Sequence, residues 1–362
     1  MSFARHRAKS ACRCRAGSPK NKSFLNFDRG LVMSRCLVRA ASGFALAAIA
    51  LGVAAPAVAQ DWPSKPIRLI VPFGQGGLVD AVLAVTKQGV EDRLGQRLVV
   101  EHRPGASGNI GAQAVVSAPA DGYTFLIAPP NQLVVNQFLF PKLGYEPLRD
   151  LVPVTLLVEV PLVLSVSDRH PVKTLREFLD HARANVGRVN YGSPGIGTPP
   201  HAAAAALARA AGLDVVHVPY RGGNAAGVGL ISNEVQFMVI AFASLQGQIR
   251  GGQVRPIAVA ASERLAPIPN VPTFTEAGFA NLAAEIPRSW WGVAAARGTP
   301  EAIVQRMASA WRAAIQTPEA RDRLRDTGLV AVGSTPAEFG QSLPAEARRW
   351  EALVKSLDLK PE

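Results

Sequence analysis

The sequence predicts an α/β fold in which parallel strands alternate with helices. Three observations support this prediction: short apolar runs are followed by longer helix-compatible segments, two of these runs end in glycine-rich loops, and several helices carry recognisable start signals. Because parallel strands need a crossover connection, usually a helix, this alternation is typical of βαβ units.

The alternation is clearest at the start of the predicted fold. The apolar runs cover residues 67–72, 97–101 and 124–128, and the helical segments after them cover residues 78–94, 109–117 and 131–140. We therefore predict three successive strand–helix units here.

Helix start signals mark the later part of the chain. At a helix start, a Thr side chain and a Glu three residues later each accept a hydrogen bond from a backbone N–H that has no partner within the helix. Pro at the first helical position has no N–H that needs a partner. In chain order the signals are Thr174 with Glu177, Thr198 with Pro199, Thr299 with Pro300, and Thr335 with Glu338. The second begins an alanine-rich helix over residues 201–211, which Gly212 ends.

The first 59 residues hold most of the net positive charge. The chain has 39 Lys and Arg, 27 Asp and Glu and a net charge of +12, and ten of the basic residues but only one acid lie before residue 60. All three cysteines, Cys12, Cys14 and Cys36, lie there too. The remainder carries only +3, so the overall basicity does not indicate a nucleic acid partner.

Residues 35–59 have the pattern of a signal peptide. Arg35 and Arg39 precede an apolar stretch over residues 40–55, and Ala57 to Ala59 fits a signal-peptidase site. The apolar run is short, which favours cleavage over a retained membrane anchor. Residues 1–32 are either an upstream extension from a misplaced start codon or a genuine longer leader. We expect a periplasmic protein cleaved near Ala59.

Two glycine-rich loops are the strongest functional signal. The first spans Phe73 to Gly77 and the second spans Ser193 to Thr198, and each lies between an apolar run and a helical segment. Such a junction leaves backbone N–H groups unpaired at the helix start, where the helix dipole also favours negative charge. Two loops of this kind facing each other would bind a small anion.

Other catalytic patterns do not occur in the sequence. The first loop lacks the last glycine of a dinucleotide fingerprint, and Gly192 to Gly195 lacks the spacing of a nucleophile elbow. The six histidines never pair at metal-ligand spacing. We therefore expect no cofactor and no metal site.

Eight segments, in order along the chain, resemble the Bug-type substrate-binding receptors of tripartite tricarboxylate transporters. They are residues 65–73, 76–80, 100–112, 121–124, 190–198, 217–222, 269–278 and 289–292. The resemblance implies a two-lobed α/β periplasmic binding protein, type II-like, with a hinged cleft between lobes that are each a mainly parallel sheet flanked by helices.

The resemblance also implies how the chain is divided. We expect lobe 1 over residues 60–162, lobe 2 over residues 163–286, and a return to lobe 1 over residues 287–362. The crossings would fall near residues 159–164 and 285–293.

The function implied by the resemblance is non-catalytic. The protein would be a monomeric receptor that binds a small carboxylate-bearing metabolite for uptake by a membrane permease of the tripartite tricarboxylate type. Two alternatives stay open, because a fold does not fix a function. One is a sensory partner that delivers ligand to a histidine kinase, and the other is an enzyme, a hydrolase or lyase, that uses the cleft.

In these receptors, backbone amides and waters from the two glycine loops hold a ligand carboxylate. Carried onto this chain, the resemblance nominates one set of residues in each lobe and four neighbours. The lobe 1 residues are Phe73, Gly74, Gln75, Gly76 and Gly77. The lobe 2 residues are Ser193, Pro194, Gly195, Gly197 and Thr198. The four neighbours are Pro130, Asn131, His201 and Ile240.

Some positions depart from the family pattern. Leu133 stands where a histidine is common, Ile240 replaces an acid that pairs with the ammonium of amino acid ligands, and Val79 replaces a small or hydroxyl residue. If these side chains face the pocket, they predict a ligand with an apolar or aromatic body rather than an amino acid or citrate. Asp80 is interpreted as a carboxylate that stabilises the helix dipole.

Overall fold

The computed structural model describes residues 62–360, which form two α/β lobes. The predicted leader over residues 1–59, with its signal peptide and cleavage point, lies outside the described residues. None of the helices between residues 62 and 360 combines the length and the apolar character needed to cross a bilayer.

Eleven strands are present in the described residues. They are β1 Ile67–Val71, β2 Leu98–His102, β3 Thr124–Ala128, β4 Leu151–Glu159, β5 Leu162–Ser167, β6 Asn190–Ser193, β7 Val216–Pro219, β8 Phe237–Ala241, β9 Val254–Ala260, β10 Trp290–Ala296 and β11 Val330–Ala331.

The α-helices lie between these strands and after them. They are α1 Leu78–Leu94, α2 Asn109–Val116, α3 Asn136–Leu139, α4 Pro147–Asp150, α5 Leu175–Ala184, α6 Pro199–Ala210, α7 Gly223–Ile231, α8 Phe242–Arg250, α9 Ala280–Glu285, α10 Glu301–Ile315, α11 Pro318–Asp326 and α12 Pro336–Ser356. A 3₁₀ turn at Ala106–Gly108 and a π-helix at Asn131–Val135 complete the helical elements.

Lobe 1 is built on a six-stranded sheet in the order β11-β4-β10-β3-β1-β2. β1 pairs in parallel with β2 and β3, whereas β10 runs antiparallel to β3 and to β4. Lobe 2 has the order β7-β6-β8-β5-β9, with β6 parallel to β7 and β8 and with β5 antiparallel to β8 and β9. The two-lobed α/β fold is confirmed.

The sheets are mixed rather than mainly parallel, and the connections between the lobes explain the difference. The chain leaves lobe 1 between Glu159 of β4 and Leu162 of β5, and it returns from lobe 2 before Trp290 of β10. An outgoing and a returning segment run in opposite directions, so β4 and β10 pair antiparallel. Val160 N–H donates to the carbonyl of Ser289 at 2.8 Å and joins the two crossing segments.

Apolar side chains cover both faces of the lobe 1 sheet. On one face, Trp311 of α10 and Val82 of α1 are fully buried against the sheet, and on the other Phe339 and Trp350 of α12 are buried in the same way. Phe178 of α5 anchors the separate core of lobe 2. Two buried cores of this size hold the loops at the strand ends in fixed places.

Most predicted helix starts agree with the structure. The hydroxyl of Thr335 accepts from the N–H of Glu338 and the carboxylate of Glu338 accepts from the N–H of Thr335, which is the predicted capping box. At Thr174 only half of the box forms, because the carboxylate of Glu177 accepts from the N–H of Lys173 instead. The predicted helix over residues 131–140 is a π-helix followed by the short α3.

Candidate functional site

Six loops meet at two sheet edges because of the parallel pairing in each lobe. The carboxyl ends of β1, β2 and β3 share one edge of the lobe 1 sheet, and those of β6, β7 and β8 share one edge of the lobe 2 sheet. Both glycine-rich loops are among these six. Open α/β sheets bind ligands outside the carboxyl ends of their strands, so these two edges are the candidate site.

The first glycine loop is exposed and is held by its own helix. Gly74 to Gly77 are exposed and Phe73 is partly exposed. Gly76 has a φ of +81°, which favours glycine. The carboxylate of Asp80 accepts from the N–H of Gly76 at 2.6 Å and from the N–H of Gly77 at 3.1 Å. These two amides were predicted to hold the ligand, but an internal carboxylate already occupies them.

His102 ties the same loop to the helix. Its Nδ1 lies 2.9 Å from the carbonyl oxygen of Phe73, and its Nε2 lies 3.3 Å from the second carboxylate oxygen of Asp80. The ring therefore bridges the beginning of the loop and the carboxylate that caps its end. Asp80 thus does more than stabilise a dipole: it fixes the loop.

Two aromatic rings form a wall beside the first loop. Phe73 and Trp291 meet edge to face with ring centroids 5.8 Å apart, and both are partly exposed. Trp290 points to the opposite face of β10 and packs edge-on against Phe339, as alternation along a strand requires. Trp291 therefore offers the cleft an apolar surface.

The second glycine loop satisfies most of its own amides. Gly195 N–H donates to the hydroxyl of Ser193 at 3.2 Å, and Gly197 N–H donates to Nδ1 of His201 at 3.0 Å. The hydroxyl of Thr198 caps α6 by accepting from the N–H of His201, and it donates to the carbonyl of Gly195 at 2.7 Å. Internal hydrogen bonds therefore hold this loop in its conformation without a ligand.

A stack of three rings supports this loop from within lobe 2. His201 and His217 lie face to face with centroids 3.8 Å apart and planes 9° apart, and Tyr191 stacks on His217 at 4.9 Å. Burial lowers the pKa of His201 to about 3, with a smaller contribution from His217, and burial lowers the pKa of His217 to about 4. Both imidazoles are neutral at physiological pH, and the free Nδ1 of His201 can accept from Gly197.

The amides that remain for a ligand differ from those predicted. Within residues 62–360, the backbone N–H groups of Phe73, Gly74, Gln75 and Ile196 have no hydrogen-bond acceptor. Pro194 has no N–H to give. In the second loop the free backbone N–H is that of Ile196, which is partly exposed, and not those of Gly195 and Gly197.

Burial separates the predicted site residues into two groups. Phe73 to Gly77, Pro194, Gly195 and Thr198 keep exposed or partly exposed surface. The other group is buried behind the exposed loop backbone in this structure. It consists of Pro130, Asn131, Ser193, Gly197, His201 and Ile240.

The predicted apolar lining of the pocket is wrong. Ile240 is 1% exposed and packs with Leu230, Met238 and other apolar side chains of lobe 2, while Val79 and Leu133 lie in the two cores of lobe 1 at 1% and 2% exposure. All three side chains point into the hydrophobic core rather than into the cleft. Ile240 is therefore not a ligand contact in this structure, and the ligand preference drawn from these positions loses its basis.

The lobes meet at Asn131 and Gly197. Asn131 Nδ2 donates to the carbonyl of Gly197 at 2.9 Å, in a buried position. Gln132 in turn contacts the loop after β2, with its Nε2 donating to the carbonyl of Ser107 at 2.6 Å. Among the described residues, no hydrogen bond runs directly between the two glycine loops, and the π-helix joins the second glycine loop to the loop after β2.

A cavity of about 1,060 Å³ lies at the crossing between the lobes, away from both glycine loops. Four arginines line it, but each is engaged: Arg264 pairs with Glu276, Arg288 with Glu159 and Glu346, Arg325 with Asp322, and Arg349 donates to the carbonyls of Ala284 and Ile286. A second cavity, of about 410 Å³, lies beside it in lobe 1. None of the predicted site residues lines either cavity.

Over residues 62–360, no group of three or more His, Cys, Asp or Glu side chains is placed to hold a metal ion.

Several residues of the site were not predicted in these roles. Asp80 could have been assigned, because an acid at the third helical position after two glycines is a cap pattern. His217 faces Tyr191 only through the register of β6 and β7, and Phe73 meets Trp291 across more than two hundred residues. No local signal in the sequence predicts those contacts.

Comparisons with known proteins agree on one family. Residues 82–359 match the family model described as tripartite tricarboxylate transporter family receptor. The chain is 31% identical to Protein BugT of Bordetella pertussis over 85% of this chain and 94% of that protein. The resemblance read from the sequence is confirmed.

Two solved structures of Rhodopseudomonas palustris proteins are similar over the whole of their own chains. Rpa4515 with adipate is 30% identical, covers 83% of this chain and 100% of its own, and has a TM-score of 0.78. MatC with bound malate is 32% identical, covers 81% of this chain and 100% of its own, and has a TM-score of 0.73.

Proposed function

Since the chain belongs to the receptor family of the tripartite tricarboxylate transporters, we propose that it is a non-catalytic periplasmic receptor. It binds a small carboxylate-bearing metabolite between its lobes and passes it unchanged to a permease of the tripartite tricarboxylate type. The adipate and malate bound by the two similar structures support a carboxylate as ligand.

The observation that carries this proposal is the exposure of the two glycine loops on buried supports. Phe73 to Gly77 and Pro194 to Ile196 present backbone to the cleft, while Ser193, His201 and Asn131 behind them are buried. Rigid donors of this kind bind an anion without reorganising, which reduces the cost of association.

The free amides assign a role to each loop. Gly74, Gln75 and Ile196 are the donors that a ligand carboxylate can take, either directly or through water. Phe73 and Trp291 offer an apolar face to the body of the ligand. A carboxylate with a short carbon chain, such as adipate, fits both features.

The test is calorimetric titration of the purified protein with adipate, malate, benzoate, aspartate and citrate. We expect binding of at least one carboxylate, and mass spectrometry should recover that carboxylate unchanged after prolonged incubation. A chemically altered product would favour the cleft enzyme over the receptor. Absence of binding across the panel, and of any carboxylate that copurifies with the protein, would contradict the proposal.

Matched glycine variants test the loops. Gly76 has a φ of +81°, Gly195 one of +147° and Gly212 one of +66°, and a Cβ meets no atom closer than 3.9 Å at any of the three. Alanine should therefore cost Gly76 and Gly212, whose φ values lie in the left-handed region, about 1 kcal/mol each. It should cost Gly195 more, because residues with a Cβ rarely adopt a φ near +147°. We expect Gly76→Ala and Gly195→Ala to weaken binding by about tenfold, because the loops relieve this strain by moving. Gly212→Ala, at the end of α6, should bind as the wild type does.

A further inference from the structure

The Gly197 peptide is inserted into the surface of lobe 1. Its carbonyl accepts the buried bond from Nδ2 of Asn131 at 2.9 Å. A Cβ on Gly197 would lie 2.2 Å from Cδ1 of Leu139, and its φ is +72°. Asn131 and Leu139 belong to the π-helix and to α3 of lobe 1, so a movement of the lobes away from each other would break this close approach.

The other side of the same peptide is held by lobe 2. Gly197 N–H donates to Nδ1 of His201 at 3.0 Å, and the ring of His201 is fixed in orientation by its stack on His217. The neutral imidazole therefore carries its proton on Nε2. The two ends of one peptide bond are thus fixed by side chains from the two lobes.

The helix that follows extends this contact. Ala202 and Ala206 lie on one face of α6, are fully buried, and join an apolar cluster whose other members all come from lobe 1. Small side chains on this face allow the helix to approach lobe 1 closely. Opening the lobes would expose this face and break the Asn131 bond.

The geometry points to the Gly197 peptide as the closing latch of the receptor. Asn131 and His201 are positioning residues, one from each lobe, that stabilise the closed state and so raise ligand affinity without touching the ligand. Their burial supports this role, since Asn131 is 1% exposed and His201 is 5% exposed. The increase in ligand affinity rests on the proposed receptor function. The stabilisation of the closed lobes by the Gly197 peptide does not depend on that function.

The test measures the distance between the lobes without any ligand. The three cysteines of the chain, Cys12, Cys14 and Cys36, all precede residue 60, so a protein that begins at Gln60 contains no competing thiol. Val99 in lobe 1 and Val186 in lobe 2, both exposed, are replaced by cysteine and spin-labelled. Double electron–electron resonance then gives the populations of closed and open lobes.

Four variants separate the latch from general effects of mutation. Asn131→Ala removes the lobe 1 donor and His201→Phe removes the lobe 2 acceptor while keeping a ring in the stack. Each should lower the closed-to-open ratio by about three- to tenfold, the usual weight of one hydrogen bond. His201→Asn keeps an acceptor near the position of Nδ1 and should retain most of the closed population. His181→Asn, the same change away from the loop, should have no effect.

Identical distance distributions in the wild type, Asn131→Ala and His201→Phe would overturn the latch. If His201→Phe does not fold, Asn131→Ala still decides, because it only truncates a side chain. Adipate titration of the same variants completes the test: adipate affinity should fall with the closed population. If Asn131→Ala and His201→Phe lower the closed population but the protein binds no carboxylate, only the receptor function is refuted. Tight adipate binding with unchanged distances would refute only the latch.

Discussion

The hydroxyl of Ser193 lies 2.7 Å from Nε2 of His217, within lobe 2. A serine and a histidine at this distance resemble part of a nucleophilic site. Ser193 is fully buried, however, and its oxygen already accepts from the N–H of Gly195. A nucleophile must reach its substrate. The pair therefore builds the second glycine loop and gives no support to an enzyme in the cleft.

Ser193→Ala should destabilise the protein and weaken ligand binding together. The change leaves the N–H of Gly195 and the ring of His217 without their partner in a buried place, which costs about 1–3 kcal/mol. Urea unfolding measures the first effect and adipate titration the second. Ser232→Ala removes a partly exposed hydroxyl at a helix end and is the control. Unchanged stability and unchanged adipate affinity in Ser193→Ala would contradict the structural role.

Asp80→Ala should release the first glycine loop. The carboxylate of Asp80 accepts from two loop amides, so its loss should cost about 1–2 kcal/mol, while Asp80→Asn keeps one acceptor and should cost less. Hydrogen exchange at the amides of Gly76 and Gly77 should rise severalfold. Asp92→Ala, on the exposed face of the same helix, is the control. Unchanged exchange at both amides would contradict the cap.

Acid should destabilise the fold through the ring stack. His201 and His217 have folded pKa values lowered to about 3 and about 4 by burial, against an ordinary value of 6.5. Below pH 6.5 both histidines therefore become protonated in the unfolded chain but stay neutral in the folded chain. The free energy of unfolding consequently falls as the pH drops from 6.5 towards 4. Each ring should contribute about 2 kcal/mol of this loss between pH 7 and pH 5.

Urea unfolding of His201→Asn at the same two pH values isolates one ring. The variant should lose about 2 kcal/mol less than the wild type, because the carboxylates and the buried His170 are the same in both proteins. An equal loss in variant and wild type would mean that His201 is not buried as a neutral ring.

Local sequence signals predicted the elements that depend on local physics. Apolar periodicity gave β3 and α1 within a residue, because burial on a sheet or helix face leaves a repeat in the sequence. Thr335 and Glu338 predicted the start of α12, because both residues of a capping box lie within one helical turn.

The parts of the site that depend on tertiary contacts were not predictable in this way. Ile240 was expected in the pocket, but strand alternation alone does not say which face of β8 meets α7 and α8, and the structure turns Ile240 towards those helices. The π-helix at Asn131 has no local signal either, because it follows from the packing of buried amides against the loop at Ser107.

The exported protein should begin near Gln60 or Asp61. The pattern of Ala57 to Ala59 fits signal-peptidase cleavage, and an acid at the small position before the cut, as in Ala59→Asp, should block it. N-terminal sequencing of periplasmic material checks the wild type, and accumulation of precursor checks the variant. Exported material that still contains Arg35 would contradict this expectation.

Ile240→Asp should unfold the protein rather than create an amino acid receptor. From the sequence, an acid here would pair with a ligand ammonium, but the side chain lies among Leu230, Met238 and Leu245 at 1% exposure. A carboxylate in that place has no partner, and its burial should cost more than about 3 kcal/mol. Ile240→Val removes one methylene and should cost only about 1 kcal/mol without changing adipate affinity. Urea unfolding compares the stability of the two variants, and aspartate titration tests where the side chain at position 240 lies. A folded Ile240→Asp protein that binds aspartate would show that this position opens into the cleft.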